Sequence, residues 1–152
     1  MALCVTRGNV SAKELVTCMV CAMTGASPSS IRIGRGAHGK PFFIGIEGIY
    51  FNVSHSGDWV AVCVSDVEVG IDVQCVPRLL RPSTLRRLGL PADTTPEDFA
   101  LVWARREAAL KARGTGFAKG FEKTLEDGLD IKCYKLCEDT AIAIAKFSQG
   151  SQ

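Results

Sequence analysis

The spacing of apolar positions changes period several times along the chain. Over residues 12–24, Leu15, Cys18, Met19 and Ala22 recur three and four apart, the spacing of one helix face. Ser11-Ala12-Lys13-Glu14 opens this run as a capping box, and Gly25 closes it. The pattern predicts a helix over 12–24. Beyond it the period falls to two. Ile31 and Ile33 alternate with Arg32 and Gly34, and similar alternation predicts strands over 30–35, 49–54, 59–65 and 67–74. "GAHGKPFF" reads as a Gly/Pro turn, and Ser56-Gly57-Asp58 as the turn of a hairpin.

The helical period then returns. A Pro- and Arg-rich stretch over 75–93 carries one short predicted helix at 83–88. Thr95-Pro96-Glu97-Asp98 supplies a cap, a proline at the first helical position and acids in the first turn. This predicts a helix to Arg113, stopped by Gly114-Thr115-Gly116. Strands over 129–136 and 141–147, with a turn at Glu138-Asp139, make a second hairpin. The order is helix, strands, hairpin, then strand, helix, hairpin. It points to two halves of similar plan, though no residue-level repeat accompanies it.

Composition narrows the class. The 152 residues are 47% hydrophobic and 22% charged, which suits a globular unit with a sizeable core. A net charge of +2 is too weak to argue for nucleic acid or an anionic membrane, but leaves room for local phosphate-binding clusters. The start, "MALCVTRGNV", lacks a charged segment leading into an apolar run, and no apolar stretch approaches the roughly 18 residues of a membrane span. Seven cysteines at irregular spacings, with no export signal, fit a reduced, cytoplasmic setting. Cys18-x-x-Cys21 could be a redox or metal pair, which would require bound zinc or a reactive thiol. Two cysteines at i and i+3 also simply face one side of a helix. Cys133 and Cys137 read the same way.

Three groups carry candidate chemistry. Glu107 and Lys111, at i and i+4 on the second long helix, share a face; they form either a solvated surface ion pair or part of a site, with Arg105 and Arg106 beside them. Asp72 stands in "VGIDV", an apolar strand where a charge is costly unless paired or bound to metal. It is an exposed-face carboxylate, a turn cap or a functional group. Gly70 beside it admits a close backbone or ligand. Two carboxylates with a lysine close by suit a divalent ion on a phosphate ester, since Mg²⁺ takes a few carboxylates plus substrate oxygens and waters. His55, between Ser54 and Ser56, is a phosphate-binding group if protonated, or a satisfied turn histidine. Lys40-Pro41 after Gly39 is a rigid turn.

Taken in order, "GKP", "FNVSHSGDWVAV", "VGIDVQ" and "WARREAALKARGTG" resemble the 4′-phosphopantetheinyl transferase superfamily. Its pattern runs GKP, (F/L)N(I/V)SHS, (V/I)G(I/V)D(I/V)E and W-x-x-K-E-A-x-x-K-x-x-G-x-G. Each motif alone is weak, and four in order over 39–116 are specific. SHS ahead of GID resembles the surfactin-synthetase-activator type, a single chain built as a pseudo-dimer. The resemblance implies an α+β fold of two similar halves, each a helix packed on an antiparallel sheet. We place the halves at 1–66 and 67–152, within one compact unit, with the site between them.

The implied activity is transfer of the 4′-phosphopantetheine arm of coenzyme A to a serine of an apo acyl or peptidyl carrier protein, releasing 3′,5′-ADP, with Mg²⁺. By motif, Asp72, Glu107 and the position of Gln74 resemble metal ligands. Glu107 also resembles the residue that deprotonates the carrier serine, and Lys111 the lysine on the phosphate. Ser54 and His55 resemble contacts to the coenzyme A 3′-phosphate, Lys40 and Pro41 the turn along the nucleotide, and Arg106 the lysine before the glutamate. Neither nucleic acid nor membrane is an implied partner. Three departures stand out. Gln74 replaces a second acid, which implies weaker metal binding or a site completed by water. The stretch ahead of Lys40 is about half the usual length, so an N-terminal strand is expected to be missing. The 75–93 loop lacks the usual R-F-F-x-x-x-E. The alternative is a degenerate homologue that holds coenzyme A or a carrier protein without turnover.

Overall fold

The computed structural model describes residues 1–116 and 125–148. The chain folds as α1 (Ala12–Thr24), α2 (Pro82–Leu88) and α3 (Pro96–Arg113) against antiparallel sheets, an α+β architecture. The first sheet has the order β1-β5-β4, from β1 (Ala2–Arg7), β4 (Tyr50–Ser56) and β5 (Trp59–Ser65). A small ribbon pairs β2 (Ile33–Arg35) with β3 (Pro41–Phe43). The second large sheet has the order β6-β8-β7, from β6 (Val69–Cys75), β7 (Leu129–Cys137) and β8 (Thr140–Phe147). In this order, every strand of the first sheet precedes every strand of the second in sequence.

The expectation of a missing N-terminal strand is corrected by β1. "ALCVTR" is four apolar residues followed by two polar ones, so it carries no alternation for periodicity to detect. Its pairing with β5, in register from Ala2↔Val64 to Arg7↔Trp59, makes it a strand. The other long elements follow their patterns. α1 begins where Ser11 Oγ accepts from the Glu14 amide at 3.3 Å and ends at Gly25 in the left-handed region. α3 begins at the Thr95 cap and ends at Gly114.

Alternation along three strands stacks the layers. In β5, Val60, Val62 and Val64 pack with Val16 and Val20 of α1, while Ala61 and Cys63 face the other way. Those two meet Val69, Ile71 and Val73 of β6 and Ile142 and Ile144 of β8, forming a second core between the sheets. The opposite face of β8 is Ala141, Ala143 and Ala145, packed on Ala100, Ala104, Ala108 and Ala112 of α3. Alanine against alanine keeps the two layers close, and α3 also approaches the β6 backbone at Gly70. All seven cysteines are free thiols. No helix among the described residues is long and apolar enough to cross a membrane.

Candidate active site

Gly70 sets the distance between α3 and β6. A Cβ at this position would lie 2.0 Å from the Ala108 carbonyl oxygen and 2.3 Å from the Ala112 nitrogen. The close backbone that "VGIDV" anticipates is therefore α3 itself. The helix crosses β6 two residues from Asp72, with Glu107 and Lys111 on the face turned toward it.

The edges of the two sheets are joined by side chains. Asn52, Ser54 and Ser56 alternate along one face of β4. Asn52 Oδ1 accepts from the Ile71 amide at 3.1 Å, Ser54 Oγ from the Val73 amide at 3.1 Å, and Ser56 Oγ from the Cys75 amide at 2.9 Å. These three oxygens satisfy the outward amides of β6, which a neighbouring strand would otherwise have to pair. The polar alternation of "NVSHS" thus splices one sheet to the other.

Ser54 is also the centre of a buried cluster. Its hydroxyl donates to Asp72 Oδ1 at 2.8 Å. Lys111 Nζ donates to Asp72 Oδ1 at 2.7 Å, to Ser54 Oγ at 3.0 Å and to the Ile71 carbonyl at 3.1 Å. The three ammonium protons are thereby all used. Asp72 is only 6% exposed and Glu107 8%, so neither is a solvated surface carboxylate. Glu107 forms no ion pair with Lys111 among the described residues, although the two are i and i+4 on one helix. Burial raises the pKa of Asp72, while Lys111 and Ser54 oppose that rise. Burial, reinforced by the charge of Asp72, pushes Glu107 up to about 7.

Two buried oxygens, Asp72 Oδ2 and Glu107 Oε1, have no hydrogen-bond partner. Buried carboxylate oxygens without partners are costly, and a hard cation satisfies them. The donor set therefore fits a divalent ion. No cluster of three or more His, Cys, Asp or Glu side chains able to hold a metal occurs among the described residues, so the remaining ligands would have to come from water or from a bound ligand.

Beside this pair opens a cavity of about 650 Å³. Its walls include Lys13, Arg35, His38, Lys40, His55 and Lys111 against a single acid, Glu107. Pro41 lies on the wall as well, so the Lys40-Pro41 turn and His55 meet the helix residues here. His38 holds a left-handed backbone at φ 58°, uncommon for a residue with a Cβ, and its side chain faces Gly116. Lys40 is tied down by two contacts: it donates to the Ala112 carbonyl at 2.7 Å, at the C-terminal end of α3, and pairs with Glu68.

Other candidates point elsewhere. Ser54 is buried in the seam and does not line the cavity. Arg106 donates to the Leu88 carbonyl at 2.8 Å, toward α2, and Arg105 pairs with Glu126 at 2.6 Å. Gln74 donates its amide to the Cys75 carbonyl at 2.7 Å and is not on the cavity wall. Conversely, Lys13, Arg35, His38 and Asn52 line the cavity without having been singled out from sequence. Asn52 was detectable, since it continues the Ser54, Ser56 alternation by one step. The other three are isolated polar residues until the β2–β3 ribbon and α1 are folded around them.

Comparison with known proteins agrees with the motifs. A family profile described as "4′-phosphopantetheinyl transferase, N-terminal" matches residues 6–67. The chain is 33% identical over 104 residues to the 4′-phosphopantetheinyl transferase psf-1 of Bacillus pumilus, covering 60% of this chain and 45% of that protein. It is 27% identical over 107 residues to a 4′-phosphopantetheinyl transferase of Bacillus subtilis, covering 62% and 46%. It is 37% identical over 91 residues to the 4′-phosphopantetheinyl transferase AcpT of Escherichia coli K12, covering 52% and 47%. The chain thus spans about half the length of the curated relatives it matches. The ordered motifs, the α+β fold and these relatives agree in making the chain similar to 4′-phosphopantetheinyl transferases.

Proposed function

We propose that this protein transfers the 4′-phosphopantetheine arm of coenzyme A to a serine hydroxyl of an apo acyl or peptidyl carrier protein, releasing 3′,5′-ADP. The observation that carries this reading is the meeting of Asp72, Glu107 and Lys111 beside a cavity whose charged wall residues are cations apart from Glu107. That arrangement is matched to a polyanionic ligand whose phosphorus is attacked. The subtype we favour is the surfactin-synthetase-activator type, with residues 1–66 and 67–152 as its two halves and the site at their seam.

In this reading Asp72 Oδ2 and Glu107 Oε1 would hold Mg²⁺. When bound, the ion would neutralise charge on the diphosphate of coenzyme A. Gln74 donates its Nε2 to the Cys75 carbonyl, which leaves its Oε1 as a neutral oxygen that would add to this set without adding charge. Glu107 takes the proton of the carrier serine, directly or through one water. The serine oxygen bonds to the phosphorus carrying the pantetheine, and the bond to the oxygen of the departing 3′,5′-ADP breaks. Lys111 must exchange one of its three present acceptors for a phosphate oxygen. His55 and the Lys40-Pro41 turn line the region where the nucleotide phosphates would lie.

The test combines the protein with coenzyme A, Mg²⁺ and apo carrier proteins of several classes, and reads the carrier mass. Phosphopantetheine should be added by the wild type and not by Asp72→Ala or Glu107→Ala. A Glu107→Ala protein that still transfers would refute the assigned mechanism. Tight coenzyme A binding with no mass gain on any carrier would support the second reading, a binding homologue without turnover, which the neutral Gln74 in place of an acid favours.

A further inference from the structure

Asn52 combines two properties that its neighbours in the seam do not share. It is buried to 4% exposure, yet it lies on the wall of the 650 Å³ cavity, whereas Ser54 and Ser56 do not. Its Oδ1 is fixed by the Ile71 amide at 3.1 Å. That bond sets the plane of the side-chain amide and thereby aims Nδ2. No group among the described residues accepts the Nδ2 protons. The buried side-chain atoms without partners are Asp72 Oδ2 and Glu107 Oε1, and Asn52 Nδ2 is not among them. It therefore retains accessible surface, and for a residue so enclosed that surface faces the cavity. Ile71 also gives its carbonyl to Lys111 at 3.1 Å. The backbone of one residue thus fixes both a neutral and a charged donor.

We propose that Asn52 is a ligand-binding residue whose preoriented Nδ2 donates to an anionic oxygen of the bound coenzyme, while its Oδ1 holds the two sheets in register. This assignment rests on the reading of the cavity as a coenzyme A site. An amide held by the fold loses little freedom when it binds, so its full hydrogen bond is available to the ligand. A donor also reads chemistry that a cation alone does not, because its geometry is fixed.

The isosteric Asn52→Asp variant separates the two roles. It keeps an acceptor for the Ile71 amide and replaces the donor with an oxygen. Binding of coenzyme A and of 3′,5′-ADP is measured by calorimetry for both proteins at low and high salt, with thermal unfolding as a control on folding. The expected result is a folded variant with at least about tenfold weaker coenzyme A binding, the loss expected for a hydrogen bond to a charged group. That loss persists at high salt, where mere charge repulsion is screened. If wild type binds coenzyme A and Asn52→Asp binds it equally, or recovers fully in salt, the Asn52 assignment fails and the coenzyme A reading stands. If wild type binds neither ligand, that reading fails and this assignment with it. Asn52→Ala, which loses the seam bond as well, should be the less stable of the two variants.

Discussion

Lys111 Nζ lies 2.7 Å from Asp72 Oδ1, joining the last turns of α3 to the middle of β6 in a setting where the aspartate is nearly out of solvent. Removing one partner of a buried pair leaves the other uncompensated, which costs far more than the pair contributes. Lys111→Met should destabilise the protein by about 3 kcal/mol in urea unfolding near neutral pH. Asp72→Asn combined with Lys111→Met should recover much of that loss, because no charge is then stranded. Single and double variants with simply additive effects would show that the two groups are not coupled.

Glu107 gives a pH signature with a definite sign. Its folded pKa of about 7 lies above that of an unfolded glutamate, so the folded state holds the proton more tightly. Its contribution is fully present below the unfolded pKa, roughly 4.3, and is lost as pH rises through 7. Glu107→Gln removes this dependence. In the absence of metal and ligand, the variant should match wild type near pH 4 and exceed it by about 2 kcal/mol at pH 8. Asp72 is present in both proteins, so its own titration cancels to first order. Parallel stability curves across that range would contradict the raised pKa. Divalent metal, by favouring the ionised carboxylate, should narrow the gap at pH 8.

Gly70→Ala is expected to be among the most damaging single-methyl additions in the chain. The new Cβ would meet backbone atoms of Ala108 and Ala112 at 2.0 and 2.3 Å, and a helix backbone cannot swing aside as a side chain can. α3 would have to lift off β6, carrying Glu107 and Lys111 away from Asp72. We expect a loss of about 3 kcal/mol or more, with the proposed transfer lost in whatever fraction folds. Gly128→Ala is the contrast: open space surrounds that position, and its cost is confined to the left-handed backbone at φ 71°.

These contacts show why the sequence disclosed some features and hid others. α1 and α3 have caps, a clear period and glycine stops, all local signals, and both are found where those signals place them. β1 has no local signal, since its strand character comes wholly from β5. Glu107 and Lys111 look like a surface ion pair from their spacing. The actual partners of Lys111 lie far away in sequence, on β4 and β6, and only the Gly70 crossing brings these together. Of the residues the motif order points to, Lys40, Pro41, His55, Glu107 and Lys111 all line one cavity. That order did not disclose that Ser54, Gln74 and Arg106 would be spent on internal hydrogen bonds.

Ser54 and Ser56 occupy equivalent places on β4, and comparing them measures what the site adds to the seam. Ser56 accepts from the Cys75 amide at 2.9 Å in a half-buried position. Its loss to alanine exposes one amide that water can reach, so Ser56→Ala should cost about 1 kcal/mol or less. Ser54 accepts from the Val73 amide and from Lys111 and donates to Asp72, all within the buried cluster. Ser54→Ala strands a buried amide and removes one of the two donors on Asp72 Oδ1. We expect a loss of about 2–3 kcal/mol, and a further rise in the Asp72 pKa, because a bond that favoured its ionised form is gone. The second effect distinguishes a site role from a seam role. Ser54→Ala should lose stability more steeply than Ser56→Ala as pH rises from 4 to 8, since Asp72 then ionises against a larger penalty. Equal costs and parallel pH dependence for the two variants would mean that Ser54 serves only to join the sheets.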